Sequence, residues 1–201
     1  MSLVHVEAVV LAAGYSSRMK GKNKLMLEIS GRPVIEHVIK NVLNSNIKTV
    51  AVIVGNHKEK LMPILQKYPI KIVENTNFSE GISSSIKQAA ASLPHFTSAV
   101  MVFLGDMPLI RPQTINEILC QYLKNSCLIA APVYRGKRGH PVLFDKVLFP
   151  EMLKLSGDVG AGSILKAHYQ DVCRVNVDDP GILLDVDRPE DFLAVGGKFS
   201  S

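Results

Sequence analysis

Two rhythms of apolar residues alternate along this chain. Short, nearly unbroken runs rich in Val and Ile occupy residues 7–13, 49–54, 70–74, 99–104 and 128–133, and runs of that kind predict strands buried on both faces. Between them, residues 33–43, 58–68, 82–93 and 112–123 place their apolar positions three and four apart, which lines one side of a helix. Pro33 and Pro112 open two of these stretches, where a helix tolerates a missing N–H. Alternation of this kind predicts right-handed crossovers and an α/β fold. The expected form is a three-layer, Rossmann-like, mostly parallel sheet with helices on both faces.

The pattern loosens after Tyr134. A turn is expected at 135–139, short strands at 140–144 and 172–177, a glycine-rich loop at 157–162, and a last short helix entered through Pro189. No linker, repeat or low-complexity tract interrupts the chain. One domain over residues 1–201 is therefore expected, its second half forming a flap over the sheet and residues 195–201 a flexible tail.

At 201 residues, with 47% hydrophobic and 20% charged, the composition is that of a globular protein. No apolar run approaches the roughly 18 residues that cross a bilayer. The opening MSLVHVEAVV lacks the regions of a secretory signal, so a cytoplasmic location and no membrane partner are expected. Cys120, Cys127 and Cys173 form no CxxC pair and read as buried, reduced thiols. The net charge is +5 with a pI near 9.1. Aromatics make up 6%, with no Trp, and do not interleave with the basic residues, which argues against a nucleic-acid partner.

Much of that positive charge sits in one place. The stretch VVLAAGYSSRMKGKNKLML leaves the first predicted strand through Leu11-Ala12-Ala13-Gly14 and then gathers Arg18, Lys20, Lys22 and Lys24. Ligands of open parallel sheets bind beyond the carboxyl ends of the strands. Small side chains there let backbone N–H groups approach a phosphate, and Arg18 and Lys24 add full charges. The Walker pattern GxxxxGK[ST] and the dinucleotide fingerprint GxGxxG are both absent. The plain alternative is a solvated turn carrying surface lysines.

Two acidic segments complement the loop. In VMVFLGDMPLI, Asp106 follows a buried strand and points from the same sheet edge; in LLDVDRPED, Asp185 and Asp187 share one face of an extended segment. Carboxylates of this kind suit a divalent ion that neutralises a triphosphate. Read singly, Asp106 caps a turn before Pro108 and Asp187 caps the helix behind Pro189. GISSS at 81–85 lacks the last glycine of a serine hydrolase elbow.

With these motifs in view, the chain resembles the molybdenum cofactor cytidylyltransferases, sisters of the guanylyltransferases that make the guanine dinucleotide cofactor. LAAGxSxRMxxxxK is shared by many nucleotidyltransferases. NTNFSEGISSSI, GDMP and PVYRGKRGHPVLF match the cytidylyl branch and its near relatives. The resemblance implies transfer of CMP from CTP to the terminal phosphate of molybdopterin, with Mg²⁺ as cofactor and a molybdoenzyme or its chaperone as downstream partner. It implies that Leu11, Ala12, Ala13, Gly14, Arg18, Lys24, Asn75, Gly81 and Ser85 serve the nucleotide. Arg18, Lys24 and Asp106 would be catalytic, and Asp106, Asp187 and Asp185 would hold the metal. Gly139, His140 and Pro141 would meet the pterin substrate.

The chain departs from the pattern at Gly162, where the family usually has Arg; Arg135, Lys137 or Arg138 would have to serve the anionic acceptor instead. The guanylyl relatives usually read LAGG rather than Leu11-Ala12-Ala13-Gly14, which favours CTP here. A non-catalytic nucleotide-binding module is the remaining alternative. It would need the basic loop but not both acidic motifs.

Overall fold

The computed structural model describes residues 4–15, 23–125 and 127–198. Strand β1 (Val6–Ala12) precedes a small hairpin of β2 (Glu28–Ile29) and β3 (Arg32–Pro33). Then come α1 (Val34–Leu43), β4 (Thr49–Val54), α2 (Lys58–Leu65), β5 (Lys71–Glu74), α3 (Ile82–Ser92) and β6 (Ala99–Leu104). The second half supplies α4 (Pro112–Asn125), β7 (Ile129–Tyr134), β8 (Lys137–Arg138), β9 (Val142–Asp145), α5 (Phe149–Lys154), α6 (Gly162–Ala167), β10 (Val172–Asn176) and α7 (Pro189–Ala194). The hairpin turns at Ser30 and Gly31, both at positive φ, the backbone that a two-residue turn between antiparallel strands requires.

The main sheet runs β10-β7-β9-β6-β1-β4-β5, with β8 attached to β7. Strand β1 is parallel to β4 and β6, β4 to β5, and β10 to β7; β9 is antiparallel to both β6 and β7. Alternation along β1 sorts its side chains between two apolar layers. Val6, Ala8, Val10 and Ala12 pack with Ile35 and Ile39 of α1 and Ile115 and Ile118 of α4. Val9 packs on the other face with Ile86 and Ala89 of α3 and Met152 of α5. The expected three-layer, mostly parallel α/β fold is the one observed.

Several expectations need correction. The second half is not a flap: β7, β9 and β10 extend the same sheet. The strand expected at 140–144 begins only at Val142, and α6 starts inside the expected 157–162 loop. Of the expected tail, residues 195–198 are described; Val195 is buried and Gly197 bridges Ile29. The cysteines are not buried: Cys120 is exposed, and Cys127 and Cys173 are half-buried. Burial, and then contact with Cys173, pushes the Cys127 thiol up to about 12. Among the described residues, no helix is long and apolar enough to cross a membrane.

The strand order has one reversal that matters. From β1 the chain steps outward to β4 and β5, then returns to place β6 on the other side of β1. The helices behind these two moves lie on opposite faces, which opens a crevice beyond the carboxyl ends of β1 and β6.

Candidate active site

Both strands end at that crevice in register, Leu11 beside Leu104. The Gly105 N–H donates to the Leu11 carbonyl at 2.9 Å, and a Cβ at position 105 would stand 2.9 Å from the same oxygen. Glycine is what lets the chain turn so close to β1, and Asp106 then emerges at the switch point. The Asp106 carbonyl accepts the Val186 N–H at 2.9 Å. That single main-chain bond brings Asp187 to a site 81 positions away in sequence.

The basic partner is fixed as firmly. Asn23 Oδ1 accepts the Leu25 N–H at 3.0 Å and starts a short 3-10 turn, Lys24–Met26, which Leu25 anchors in the core. Lys24 Nζ then lies 2.5 Å from Asp106 Oδ2 and 3.0 Å from Asp187 Oδ1. Burial works to lower the Lys24 pKa, but the charges and hydrogen bonds of Asp106 and Asp187 outweigh it and hold the group above its ordinary value. Burial, and then the charge of Asp106, pushes the nearby Asp185 carboxyl up.

The ordinary roles weighed for the two acids are filled by others. The helix α7 cap is made by Asp191, whose Oδ2 accepts the N–H groups of Asp187 and Arg188 at 3.2 and 2.8 Å. Asp106 Oδ1 caps nothing; it is buried and has no hydrogen-bond partner among the described residues. A cation is the natural complement of such an oxygen, so the donors suit a divalent ion. Asp106 and Asp187 meet at Lys24 while no ion pair of Asp185 with it is seen among the described residues, and among these no three His, Cys, Asp or Glu side chains gather as a metal cluster.

A cleft of about 630 Å³ opens here. Leu11, Ala12, Ala13, Gly14, Lys24, Gly81, Ser85 and Asp106 line it. Asn75 does not: it is buried behind the wall, its Nδ2 donating to Ser84 Oγ at 2.8 Å and Ser85 Oγ at 3.1 Å. Arg18 lies outside the described residues. Among the described residues a Cβ at Gly14 would meet nothing within 4 Å; a close approach on this side is at Gly55, where one would strike the Ala13 and Phe78 Cβ atoms at 2.8 and 2.9 Å. The sequence reading missed Tyr15, Phe78 and Asp158, which also line the cleft. Tyr15 and Phe78 meet edge to face at 5.5 Å. Neither stands in a periodic run, so only their nearness to the LAAG and NTNFSEG motifs could have signalled them.

A second pocket of about 200 Å³ shares Leu11, Ile82 and Leu104 with the cleft and is closed by Arg138, Gly139, His140 and Gly162. Pro141 does not line it. A Cβ on Gly139 would lie 2.2 Å from the Ile182 carbonyl, and the same carbonyl accepts the His140 N–H at 3.0 Å. Burial first, then Arg138, lowers the His140 pKa against the opposing pull of Asp106. The shift favours the uncharged ring, and its Nδ1 is buried with no partner among the described residues. Gly162 is exposed, and a Cβ there would meet nothing among the described residues within 4 Å.

A lysine from the first-strand loop, clasped by acids from two distant segments, thus stands at the sheet switch point where open α/β folds bind their ligands. The family described as MobA-like NTP transferase domain matches residues 8–172; the chain belongs to that family and is, by family, a nucleotidyltransferase.

The molybdenum cofactor cytidylyltransferase of Escherichia coli K12 is 25% identical over 97% of this chain and 97% of its own. Nicotine blue oxidoreductase of Paenarthrobacter nicotinovorans is 27% identical over 92% of this chain and 93% of its own. The bifunctional protein GlmU of Hydrogenobaculum sp. is 32% identical over 55% of this chain, which spans only 24% of that protein. Among solved structures, Rv0371c of Mycobacterium tuberculosis H37Rv superposes with a TM-score of 0.84 at 24% identity, covering 98% of this chain and 99% of that one. Its complex with manganese superposes at 0.78 and 22% identity, covering 97% and 99%.

Proposed function

We propose that residues 1–201 form one catalytic unit that transfers CMP from CTP to the terminal phosphate of molybdopterin in the cytoplasm, releasing pyrophosphate. The observation that carries this reading is Lys24 Nζ seated between Asp106 and Asp187 at the mouth of the cleft. Two full-length relatives of similar identity bear different names, so the weight falls on the site and on the motifs shared with the cytidylyl branch. The manganese complex of Rv0371c and the unpartnered Asp106 Oδ1 support a divalent ion, Mg²⁺ in this reading.

The acceptor phosphate is already ionised at neutral pH, so no strong general base is required. Its oxygen bonds to the α-phosphorus while the bond from that phosphorus to the oxygen bridging to the β-phosphorus breaks, and the electron pair leaves with pyrophosphate. Asp106 and Asp187 would hold the divalent ion, which would neutralise charge on the triphosphate. Lys24 adds its charge to the same oxygens; Arg18, outside the described residues, is assigned to them by the family resemblance. Leu11 to Gly14 and the Gly81–Ser85 wall orient the nucleoside. Neutral His140 and Arg138 face the acceptor in the adjoining pocket. Ala13 lines the cleft where guanylyl relatives carry glycine, which favours CTP.

The test is pyrophosphate release from purified protein with Mg²⁺ and carrier-bound molybdopterin, offered CTP, GTP and ATP separately. Release with CTP is expected. Release with GTP alone would overturn the cytidylyl assignment, and silence with all three would overturn transfer to this acceptor.

A further inference from the structure

The chain leaves α7 through a pair of glycines that do different work. The Gly197 N–H donates to the Phe192 carbonyl at 2.9 Å and the Gly196 N–H to the Leu193 carbonyl at 3.1 Å, with Gly196 at φ +87°. This is the Schellman ending of a helix, which favours glycine where the backbone turns left-handed. Such an ending commonly sets a side chain at the next position against the last turn of the helix. Here that position is Gly197, which is buried and lies so close to the Phe192 ring that a Cβ would run into its Cε2, Cζ and Cδ2 atoms.

Bare of a side chain, Gly197 reaches Ile29 and pairs with it as an antiparallel bridge. Ile29 stands five positions after Lys24, and Gly197 ten after Asp187. The Ile29 carbonyl also accepts from His37 Nε2 at 2.9 Å, so the β2–β3 hairpin is gripped between α1 and the end of α7. Leu25, Ile29, Phe192 and Val195 are buried in one apolar layer. The segments that carry Lys24 and Asp187 are thus joined twice, by the ion pair in front and by this bridge behind.

The two joints differ in what they withstand. Lys24 Nζ is bonded to Asp106 and Asp187, the carboxylates assigned to the divalent ion in the function proposed above. Those bonds weaken wherever a cation shares the two acids, whereas the bridge is main chain against main chain and neither glycine lines the cleft. We infer that Gly196 and Gly197 form a clasp that positions Lys24 for the triphosphate by closing the end of α7 on the β2–β3 hairpin. The inference rests on the phosphate role proposed for Lys24. Both glycines are positioning residues and touch no substrate.

The probe is inorganic tripolyphosphate with Mg²⁺, titrated by calorimetry, because it engages Lys24 and has no base. Lys24→Ala sets the scale of that residue's contribution. Gly197→Ala drives a methyl into the Phe192 ring, and Gly196→Ala, with nothing among the described residues within 4 Å of its Cβ, strains the turn alone. Each glycine variant is expected to weaken tripolyphosphate about fivefold, part of the worth of one charged hydrogen bond. Neither should weaken it further in a chain that already carries Lys24→Ala, because the clasp acts through that ammonium. Phe192→Leu added to Gly197→Ala makes room for the methyl and should restore most of the binding.

Urea unfolding shows which variants are folded, and if Gly197→Ala is not, Gly196→Ala decides. A role confined to stability would lower the urea midpoint and leave tripolyphosphate binding unchanged, or would cost as much with Lys24→Ala as without it. Either result overturns the clasp and leaves the proposed function standing. Binding by Lys24→Ala equal to that of the unaltered protein would end the phosphate role of Lys24 and the clasp with it.

Discussion

Asp106 carries two oxygens in unlike circumstances. Oδ2 is 2.5 Å from an ammonium, and Oδ1 is buried without a partner among the described residues. Asparagine at this position preserves the shape and one acceptor but removes the charge that a divalent ion needs. Asp106→Asn is therefore expected to lower pyrophosphate release at least about a hundredfold, while CTP binding measured by calorimetry falls far less. A protein that only binds nucleotide would lose little in either measurement, so the gap between the two separates enzyme from binding module.

The elements that deliver the second acid depend on one buried carboxylate elsewhere. Asp179 is 2% exposed and accepts three hydrogen bonds: the Arg111 N–H at 2.9 Å, Thr114 Oγ1 at 2.7 Å and the Gly181 N–H at 2.9 Å. It thereby joins the first turn of α4 to the 3-10 turn Pro180–Leu183, which leads directly into Asp185–Val186–Asp187. Asp179→Ala strands those donors and is expected to cost about 3 kcal/mol in urea unfolding. A loss under about 1 kcal/mol would mean that the turn is held by its packing instead.

Across the whole molecule, the two apolar layers are tied by a few polar contacts between layer and sheet. Tyr122 of α4 donates to Asp145 of β9 at 2.6 Å. Burial, and then the Asp145 hydrogen bond, pushes its phenol well above the usual value. A raised folded-state pKa means that the stabilisation is complete below the unfolded value near pH 10 and is lost as pH rises through the folded one. Tyr122→Phe should therefore lower stability by about 1 kcal/mol at pH 8. It should also flatten the decline above pH 10, as read from urea midpoints along a pH series. An alkaline limb as steep as that of the unaltered protein would place its cause elsewhere, beginning with Tyr68, whose phenol is pushed up to about 12 by burial and then by Glu36.

The amino-acid order by itself determined the layers. Residues 49–54 and 99–104 are strands as expected, because strands covered by helices on both faces leave unbroken apolar runs. The helices α1 to α4 showed in their periodicity for the complementary reason. Helices α5 and α6, six residues each, and the hairpin of two-residue strands are too short to display any period. Lys24 and Asp106 were legible as candidates because charge placed beyond a buried strand is conspicuous, and Asp187 because it shares one face of an extended segment with Asp185.

Tertiary structure decided what one-dimensional spacing cannot encode. Strand β9 runs against its neighbours and carries the second half into the sheet, and the Val186–Asp106 main-chain bond makes one site of two segments. Asn75 lies behind the cleft wall with its amide bonded to Ser84, Ser85 and the Asn77 N–H, because the direction of a side-chain amide depends on which donors and acceptors folding sets beside it.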